Sequence, residues 1–188
     1  VMDIGSGRQA AAMLKLGAKS VDHYDISVHN IKKSKNYCKN IKGLNSYCAD
    51  IGKKNFNKHR CYDFIYMQGI IQHTRFPLKV LKNISHACRE KGIVWLYHYQ
   101  PTSLNYFYVV TLRKIFREKN LREFLKKIKK MKYSDKKINF LMDDLGCNYI
   151  HFYNAKYYRK VMENLGFIQF YKKDVSNFDG GISFNNIG

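Results

Sequence analysis

The sequence predicts an α/β fold in which a doubly wound, mostly parallel sheet is covered by helices. Short runs of strand-forming residues alternate with helical stretches over residues 1–99. Strands that alternate with helices imply a parallel sheet with right-handed crossovers. The first strand also enters a Gly-x-Gly turn, and the second ends on an acid. In a doubly wound sheet this arrangement puts a backbone-lined turn and a carboxylate together at the carboxyl ends of adjacent strands.

Each predicted element has its own local signal. Helix starts are indicated by Ser27 as a capping residue and by Pro77 as a first-turn residue, and helix ends by Gly17 and Gly166. The predicted strands are residues 2–4, 20–24, 47–50, 61–67, 93–99, 167–173 and 181–185. The predicted helices are residues 10–16, 27–41, 77–89 and 154–165, with residues 90–92 ending the third.

Residues 101–147 interrupt this alternation with a purely helical pattern. Apolar residues recur there at i, i+3 and i+4, which predicts one or two amphipathic helices inserted after the fifth strand as a cap over the sheet. Residues 113–137 contain 12 Lys or Arg against 3 Asp or Glu. This basic face is either a solvated surface or a binding surface for RNA or anionic lipid.

Length and composition narrow the class of protein. At 188 residues the chain has room for one domain and hardly for two, so we expect one domain over residues 1–188. Because it opens directly on a strand, we expect its amino end to be truncated. The net charge of +20 suggests an anionic partner or reflects compositional drift.

The cysteines and the apolar runs favour a cytoplasmic protein. The five cysteines form no C-x-x-C pair and have no histidine at zinc spacing, so we expect reduced thiols and no metal site. No apolar run approaches the roughly 18 residues of a membrane helix, so we expect no transmembrane segment.

The turn formed by Gly5, Ser6 and Gly7 suits a ligand that needs close backbone approach. With Asp25 following at the end of the second strand, it fits either a nicotinamide dinucleotide or another nucleoside cofactor. Asp3 and Asp50 separate these possibilities. Asp3, just before the turn, would repel a pyrophosphate and attract an amino group. Three acids at three adjacent strand ends suit the ammonium, ribose and adenine groups of S-adenosylmethionine.

Four blocks of sequence resemble, in order and spacing, the class I S-adenosylmethionine-dependent methyltransferases. They are D-I-G-S-G at residues 3–7, Y-D-I-S at 24–27, C-A-D-I at 48–51 and Y-D-F-I-Y-M-Q-G-I-I-Q-H-T at 62–74. The fourth block is similar to the F-D-x-V-x-S-N-G-V-L-H-H segment of the ubiquinone/menaquinone methyltransferase-like group, methyltransferase type 11. This chain departs from the family pattern at Gln9, Gln72 and Lys91.

The resemblance implies a Rossmann-like sheet of seven strands in the order 3-2-1-4-5-7-6, with the seventh strand antiparallel. It implies S-adenosylmethionine as cofactor, with the methionine moiety held by Asp3, Gly5 and Gly7. The remaining implied cofactor residues are Asp25 and Ile26 at the ribose, Asp50 and Ile51 at the adenine, and Gln68 beside the methionine.

The expected reaction is in-line methyl transfer to a small-molecule acceptor, in which orientation matters most and a base is needed only if the nucleophile must lose a proton. His73 is the first candidate for that base, and the candidate substrate-binding residues are His98, Tyr99, His151 and Tyr153. Two alternatives remain open at this point: RNA methylation through the basic cap, and a non-catalytic binding subunit that retains the fold.

Overall fold

The computed structural model describes residues 1–53, 56, 58–99, 101, 104–115, 121–133, 138, 144–175 and 179–185. Five parallel strands form the centre of its sheet in the order β3-β2-β1-β4-β5, which confirms the Rossmann-like α/β expectation. They are β1 (Met2–Ile4), β2 (Val21–Asp25), β3 (Leu44–Cys48), β4 (Tyr62–Gln68) and β5 (Cys88–Tyr97). Beyond β5, β7 (Asp179–Asn185) and then β6 (Gln169–Val175) add antiparallel to the same sheet.

Three helices are opened by a capping side chain or a proline, two of them at the signals predicted from the sequence, Ser27 and Pro77. The Ser27 hydroxyl accepts the Asn30 N–H at 3.4 Å, and the Asn154 side chain accepts the Tyr157 N–H at 2.8 Å. Pro77 opens the third helix. The helices are α1 (Arg8–Lys15), α2 (Val28–Tyr37), α3 (Pro77–Ala87), α4 (Leu104–Ile115), α5 (Leu121–Lys130) and α6 (Ala155–Asn164), with a 3₁₀ turn at Ile71–His73.

The sheet is covered on both faces, as a doubly wound fold requires. On one face α3 and α6 pack together over β4 and β5, and the core there includes Leu81, Ile84, Met162, Ile65 and Leu96. A smaller cluster, with α1 against α2, contains Ala10, Leu14, Val21 and Cys38. None of the helices in the described ranges is long and apolar enough to span a membrane.

The inserted region between β5 and α6 contains α4 and α5 with a small apolar cluster of their own. Ile128 and Ile138 are buried there against Leu112, Tyr133 and Leu145. The Arg113 guanidinium donates to the carbonyls of Asp144 at 2.6 Å and Cys147 at 2.9 Å, which ties α4 to the segment before α6. The rest of the predicted cap, residues 102–103, 116–120, 134–137 and 139–143, lies outside the described residues.

Several predicted boundaries differ from the structure, and two of these differences have a clear physical reason. The third strand runs from Leu44 to Cys48 instead of over residues 47–50, because its parallel register with β2 ends where Asp25 meets Cys48. The α3–β5 boundary also differs: α3 ends at Ala87 and β5 begins at Cys88, which pairs with Tyr62. The Lys-Gly signal at residues 91–92 marks a bulge within β5, where Lys91 has a φ of 60° and the ladder changes register.

We predict that Leu81→Ala lowers the free energy of unfolding by about 2–5 kcal/mol, because Leu81 is fully buried between α3 and the sheet. Leu78→Ala, in the same helix but at a position that is 53% exposed, is the matched control and should change it by less than about 1 kcal/mol. Urea denaturation followed by circular dichroism measures both. Equal losses in the two variants would contradict the packing described for α3.

Candidate active site at the carboxyl ends of the strands

The turn between β1 and α1 depends on two glycines in the left-handed half of backbone space. Gly5 has a φ of 130° and Gly7 a φ of 75°. The Gly5 N–H donates to the Tyr24 carbonyl at 3.1 Å, which joins the turn to β2. A Cβ atom at Gly7 would lie 2.4 Å from the Ser34 Cβ and 2.8 Å from the His23 Cε1. No other residue fits at this position without displacing α2 or the imidazole.

His23 is the side chain that fills the space beneath this turn. It is fully buried in β2, with its Nε2 2.6 Å from the Gly5 carbonyl oxygen and its Nδ1 2.8 Å from the Ser34 hydroxyl. Because a carbonyl oxygen can only accept, Nε2 carries a proton and donates to Gly5. The Ser34 hydroxyl oxygen also lies 2.9 Å from the Ile31 carbonyl oxygen within α2. One imidazole therefore connects β2, α2 and the glycine turn.

Asp3 lies directly before the turn and is 1% exposed. Burial raises the pKa of its carboxyl group to about 6, against the opposing effects of His23 and of the Ala10 N–H in the first turn of α1. Its Oδ2 is buried and has no hydrogen-bond partner among the described residues. A buried carboxylate oxygen without a partner is costly, and a cationic group at this point would compensate it.

The acids after β2 and β3 lie at the same edge of the sheet. Asp25 accepts the Ser27 N–H at 2.6 Å and the Asn30 amide at 2.9 Å, one with each carboxylate oxygen. Each oxygen keeps a second lone pair, so these bonds are compatible with a ligand diol. Asp50 is exposed and accepts the Gly52 N–H at 2.8 Å in a tight turn. Both acids thus stabilise their own turns, and both lie at the edge of the sheet where a ligand would bind.

The two isoleucines that follow these acids differ in exposure. The Ile26 side chain is 75% exposed, so an adenine or ribose ring could pack on it. The Ile51 side chain is buried in the main core, and its carbonyl accepts from Asn83 at 2.6 Å. Any contact of Ile51 with a ligand would therefore involve its backbone.

Gln68, the last residue of β4, reaches across to the glycine turn. Its side-chain oxygen Oε1 accepts from the Gln9 side-chain amide at 3.2 Å and from the Tyr66 hydroxyl. Tyr66 pairs with Asp3 across the β1–β4 ladder, and burial followed by the charge of Asp3 raises the pKa of its hydroxyl. The predicted cofactor residues of β1 and β4 are thus brought together through Gln9.

On the other side of β4, two histidines are held neutral by burial. His73 ends the 3₁₀ turn and His98 follows β5. Burial lowers the pKa of each histidine to about 4. This effect outweighs the opposing effect of the Tyr149 backbone on the pKa of His73 and that of the Tyr99 backbone on the pKa of His98. Within the described part of the chain, Nδ1 of His73 and Nε2 of His98 have no hydrogen-bond partner.

The other predicted substrate residues surround these histidines. The rings of His73 and Tyr99 meet edge to face with centroids 6.0 Å apart, and the rings of His151 and Tyr153 are stacked at 5.9 Å. The His151 N–H donates to the Gln72 carbonyl at 2.7 Å, which holds the segment before α6 against the 3₁₀ turn. A groove of about 310 Å³ lies between α4 and this segment, with Tyr106, Arg113 and Phe152 in its walls.

Four residues of the site were missed from the sequence: His23, Ser34, Gln72 and Tyr158. Of these, His23 had a detectable signal, since it alternates with Val21 and Asp25 on the inward face of a predicted strand, where a polar residue needs a partner. Gln72 was noted only as a departure from the family pattern. The described residues contain no group of three or more His, Cys, Asp or Glu placed to hold a metal ion.

We predict that Gly7→Ala destabilises the fold by more than Gly17→Ala. Both glycines have positive φ, but a Cβ at Gly17 meets none of the described residues within 4 Å, whereas one at Gly7 overlaps His23 and Ser34. Gly17→Ala should cost about 1 kcal/mol from backbone strain alone, and Gly7→Ala at least about 2 kcal/mol. Urea titration of the two variants measures the difference, and equal costs would rule out the close approach of the turn to His23.

Comparison with known proteins agrees with this geometry. A family model described as "Methyltransferase domain" matches residues 2–96, which cover the turn and β1 to β5. No curated protein sequence matches the chain.

Solved structures share the fold at low identity. The methyltransferase domain of the citrinin polyketide synthase has 13% identity and a TM-score of 0.65, over 100% of this chain and 46% of that one. The CurJ carbon methyltransferase has 17% identity and a TM-score of 0.67, over 100% of this chain and 48% of that one. A SAM-dependent methyltransferase from Aquifex aeolicus has 12% identity and a TM-score of 0.63, over 98% of this chain and 80% of that one. The chain spans about half the length of the first two structures.

The glycine turn with its buried acid, the parallel strand order and the family match over residues 2–96 lead to one conclusion. The chain belongs to the class I S-adenosylmethionine-dependent methyltransferase family, with S-adenosylmethionine as its cofactor.

Proposed function

We propose that this protein transfers a methyl group from S-adenosylmethionine to a small-molecule acceptor by in-line displacement. The observation that carries the proposal is Asp3, a buried carboxylate beside a glycine turn with one oxygen that has no partner among the described residues. That environment disfavours a pyrophosphate and favours a ligand that brings a positive charge. S-adenosylmethionine carries both an ammonium and a sulfonium group.

Each part of the cofactor has a proposed partner at the strand ends. Asp3, Gly5 and Gly7 hold the methionine moiety, with Gln68 beside it. The ribose contacts Asp25 and Ile26, and the adenine contacts Asp50 and the backbone of Ile51. The close packing of Gly7 on His23 supports this assignment, because it holds the turn close to β2 and lets a ligand approach the backbone of the turn.

Bound S-adenosylmethionine supplies a methyl group that is already activated for transfer, so the protein contributes mainly orientation. His73 is the proposed base for an acceptor that must lose a proton. Nδ1 of His73 is buried and has no hydrogen-bond partner among the described residues. It is the proposed position of the lone pair that takes up the proton.

The proposed domain is a single methyltransferase domain over residues 1–188 in which residues 101–147 form a helical cap. The small cluster around Ile128 and the bonds from Arg113 support a cap that packs as a unit beside the acceptor residues. The pairing of β7 with β5 supports the seven-stranded order implied by the family resemblance. A cap over the carboxyl ends of β4 and β5 favours a compact acceptor over a polymer.

We predict that Asp3→Asn weakens binding of S-adenosylmethionine about tenfold or more, because one charge-assisted contact is worth about 1.5–3 kcal/mol. The affinity of the unmodified protein should also fall as the pH drops below about 6, where Asp3 becomes protonated, and that of Asp3→Asn should not. Isothermal titration calorimetry between pH 5 and 8 measures both effects.

Asp63→Asn is the matched control, since Asp63 lies on the exposed surface of β4 and pairs with Arg89. It should leave the affinity unchanged at every pH. Unaltered binding by Asp3→Asn would overturn the role of Asp3, and no heat with either S-adenosylmethionine or its demethylated product would overturn the methyltransferase assignment.

A further inference from the structure

Seven residues on the acceptor side of the site are linked in a series by four ring contacts, one backbone hydrogen bond and two pairs of chain neighbours, and we call this series the polar ring. His73 meets Tyr99, and His98, the neighbour of Tyr99, packs on Tyr158 with ring centroids 4.3 Å apart. Tyr158 meets Tyr153 at 5.9 Å, and Tyr153 stacks on His151. The backbone N–H of His151 then donates to the backbone carbonyl of Gln72, which precedes His73 in the 3₁₀ turn.

The polar ring contains a fully buried floor and a half-buried rim. Gln72, His98 and Tyr158 are 0% exposed and make up the floor. The rim, which is reachable from solvent, consists of His73, Tyr99, His151 and Tyr153.

Five of these side chains carry buried polar atoms without a partner in the described ranges. The atoms are both amide atoms of Gln72, Nδ1 of His73, Nε2 of His98, Nε2 of His151 and the hydroxyl of Tyr158. Folded proteins bury few such atoms, because each costs roughly 1–3 kcal/mol. The number of such atoms in the polar ring indicates a binding site in which a ligand completes their hydrogen bonds.

The backbone contact of His98 determines what its imidazole offers to that ligand. Nδ1 of His98 lies 3.2 Å from the Tyr99 carbonyl oxygen, which can only accept, so Nδ1 carries the proton and Nε2 presents a lone pair. In His73 the buried Nδ1 has no hydrogen-bond partner in the described ranges, and the lone pair is assigned to this atom. The polar ring therefore presents two imidazole acceptors, and the Tyr158 hydroxyl adds a donor.

We propose that the polar ring recognises an acceptor through hydroxyl or N–H groups, so that the methylated atom is oxygen or nitrogen. This inference rests on the proposed methyltransferase function and names its class of substrate. The proton that such a group loses goes to Nδ1 of His73, while the carbon–sulfur bond of the donor breaks as the carbon–oxygen or carbon–nitrogen bond forms. A carboxylate acceptor does not fit, because two lone pairs would face its negative charge.

The first experiment uses phenol and anisole as probes, since anisole has a methyl group in place of the hydroxyl hydrogen through which phenol would donate to the polar ring. Histidine ring nitrogens of the full chain are observed by ¹⁵N NMR during titration with each compound and with benzoate. We expect phenol to move the resonances of His73 Nδ1 and His98 Nε2, and anisole and benzoate to move neither. Anisole or benzoate binding as tightly as phenol, or no movement with phenol, would overturn the proposal.

The second experiment uses Tyr158→Phe, which removes only the buried hydroxyl. If that hydroxyl serves a ligand, the variant binds phenol roughly two- to tenfold more weakly while its thermal stability stays the same or rises. A fall in stability with unchanged phenol binding would mean that Tyr158 is structural and would overturn the proposal. Tyr37→Phe, at a position 48% exposed in α2, is the control and should change neither quantity.

Calorimetry of Tyr158→Phe with S-adenosylhomocysteine distinguishes a failure of the proposed methyltransferase function from a failure of the role proposed for the polar ring. The variant should bind this demethylated cofactor as tightly as the unmodified protein, because Tyr158 lies outside the proposed cofactor residues. Absence of cofactor binding in both proteins contradicts the proposed function, whereas cofactor binding together with a failed phenol titration contradicts the polar ring alone.

Discussion

The site depends on the contact between His23 and the glycine turn. The imidazole lies under the turn, donates to Gly5 and leaves no room for a side chain at Gly7. Through Ser34 it also fixes the position of α2. Because His23 holds the turn in place, Asp3 stays buried beside the start of α1. The carboxyl ends of β1, β2 and β4 also stay together at the edge of the sheet where a ligand would bind. Replacing His23 would disturb several cofactor residues at once.

Both halves of the site carry a cost in stability that a ligand would relieve. Burial raises the pKa of Asp3 to about 6, so between about pH 4 and 6 the unfolded chain loses this proton before the folded chain does. As the pH rises through that window, the free energy of unfolding therefore falls by about 3 kcal/mol in total. In the polar ring, atoms of Gln72, His98 and Tyr158 that have no partner in the described part of the chain add to the cost. A core of apolar residues in these places would be more stable and would bind nothing.

The sequence was sufficient for the central sheet because its signals are local. Gly5 and Gly7 mark a turn, Ser27 and Pro77 mark helix starts, and the five parallel strands follow from their alternation with helices. The β5 bulge was missed because Lys91 and Gly92 resemble a helix stop, and only pairing with Tyr62 shows that the strand has already begun. His23 and Tyr158 could not be assigned, since their partners Gly5 and His98 are distant in sequence and come together only in the fold.

The most direct test of the account is the protonation of Asp3 with and without cofactor. Carboxyl ¹³C NMR can follow this residue as a function of pH in the free protein and in its complex with S-adenosylhomocysteine, which keeps the ammonium group. We predict that Asp3 titrates near pH 6 in the free protein and at a lower pH in the complex, where the ammonium compensates its charge. An Asp3 pKa near the ordinary value of about 4, or one that S-adenosylhomocysteine leaves unchanged, would contradict the account.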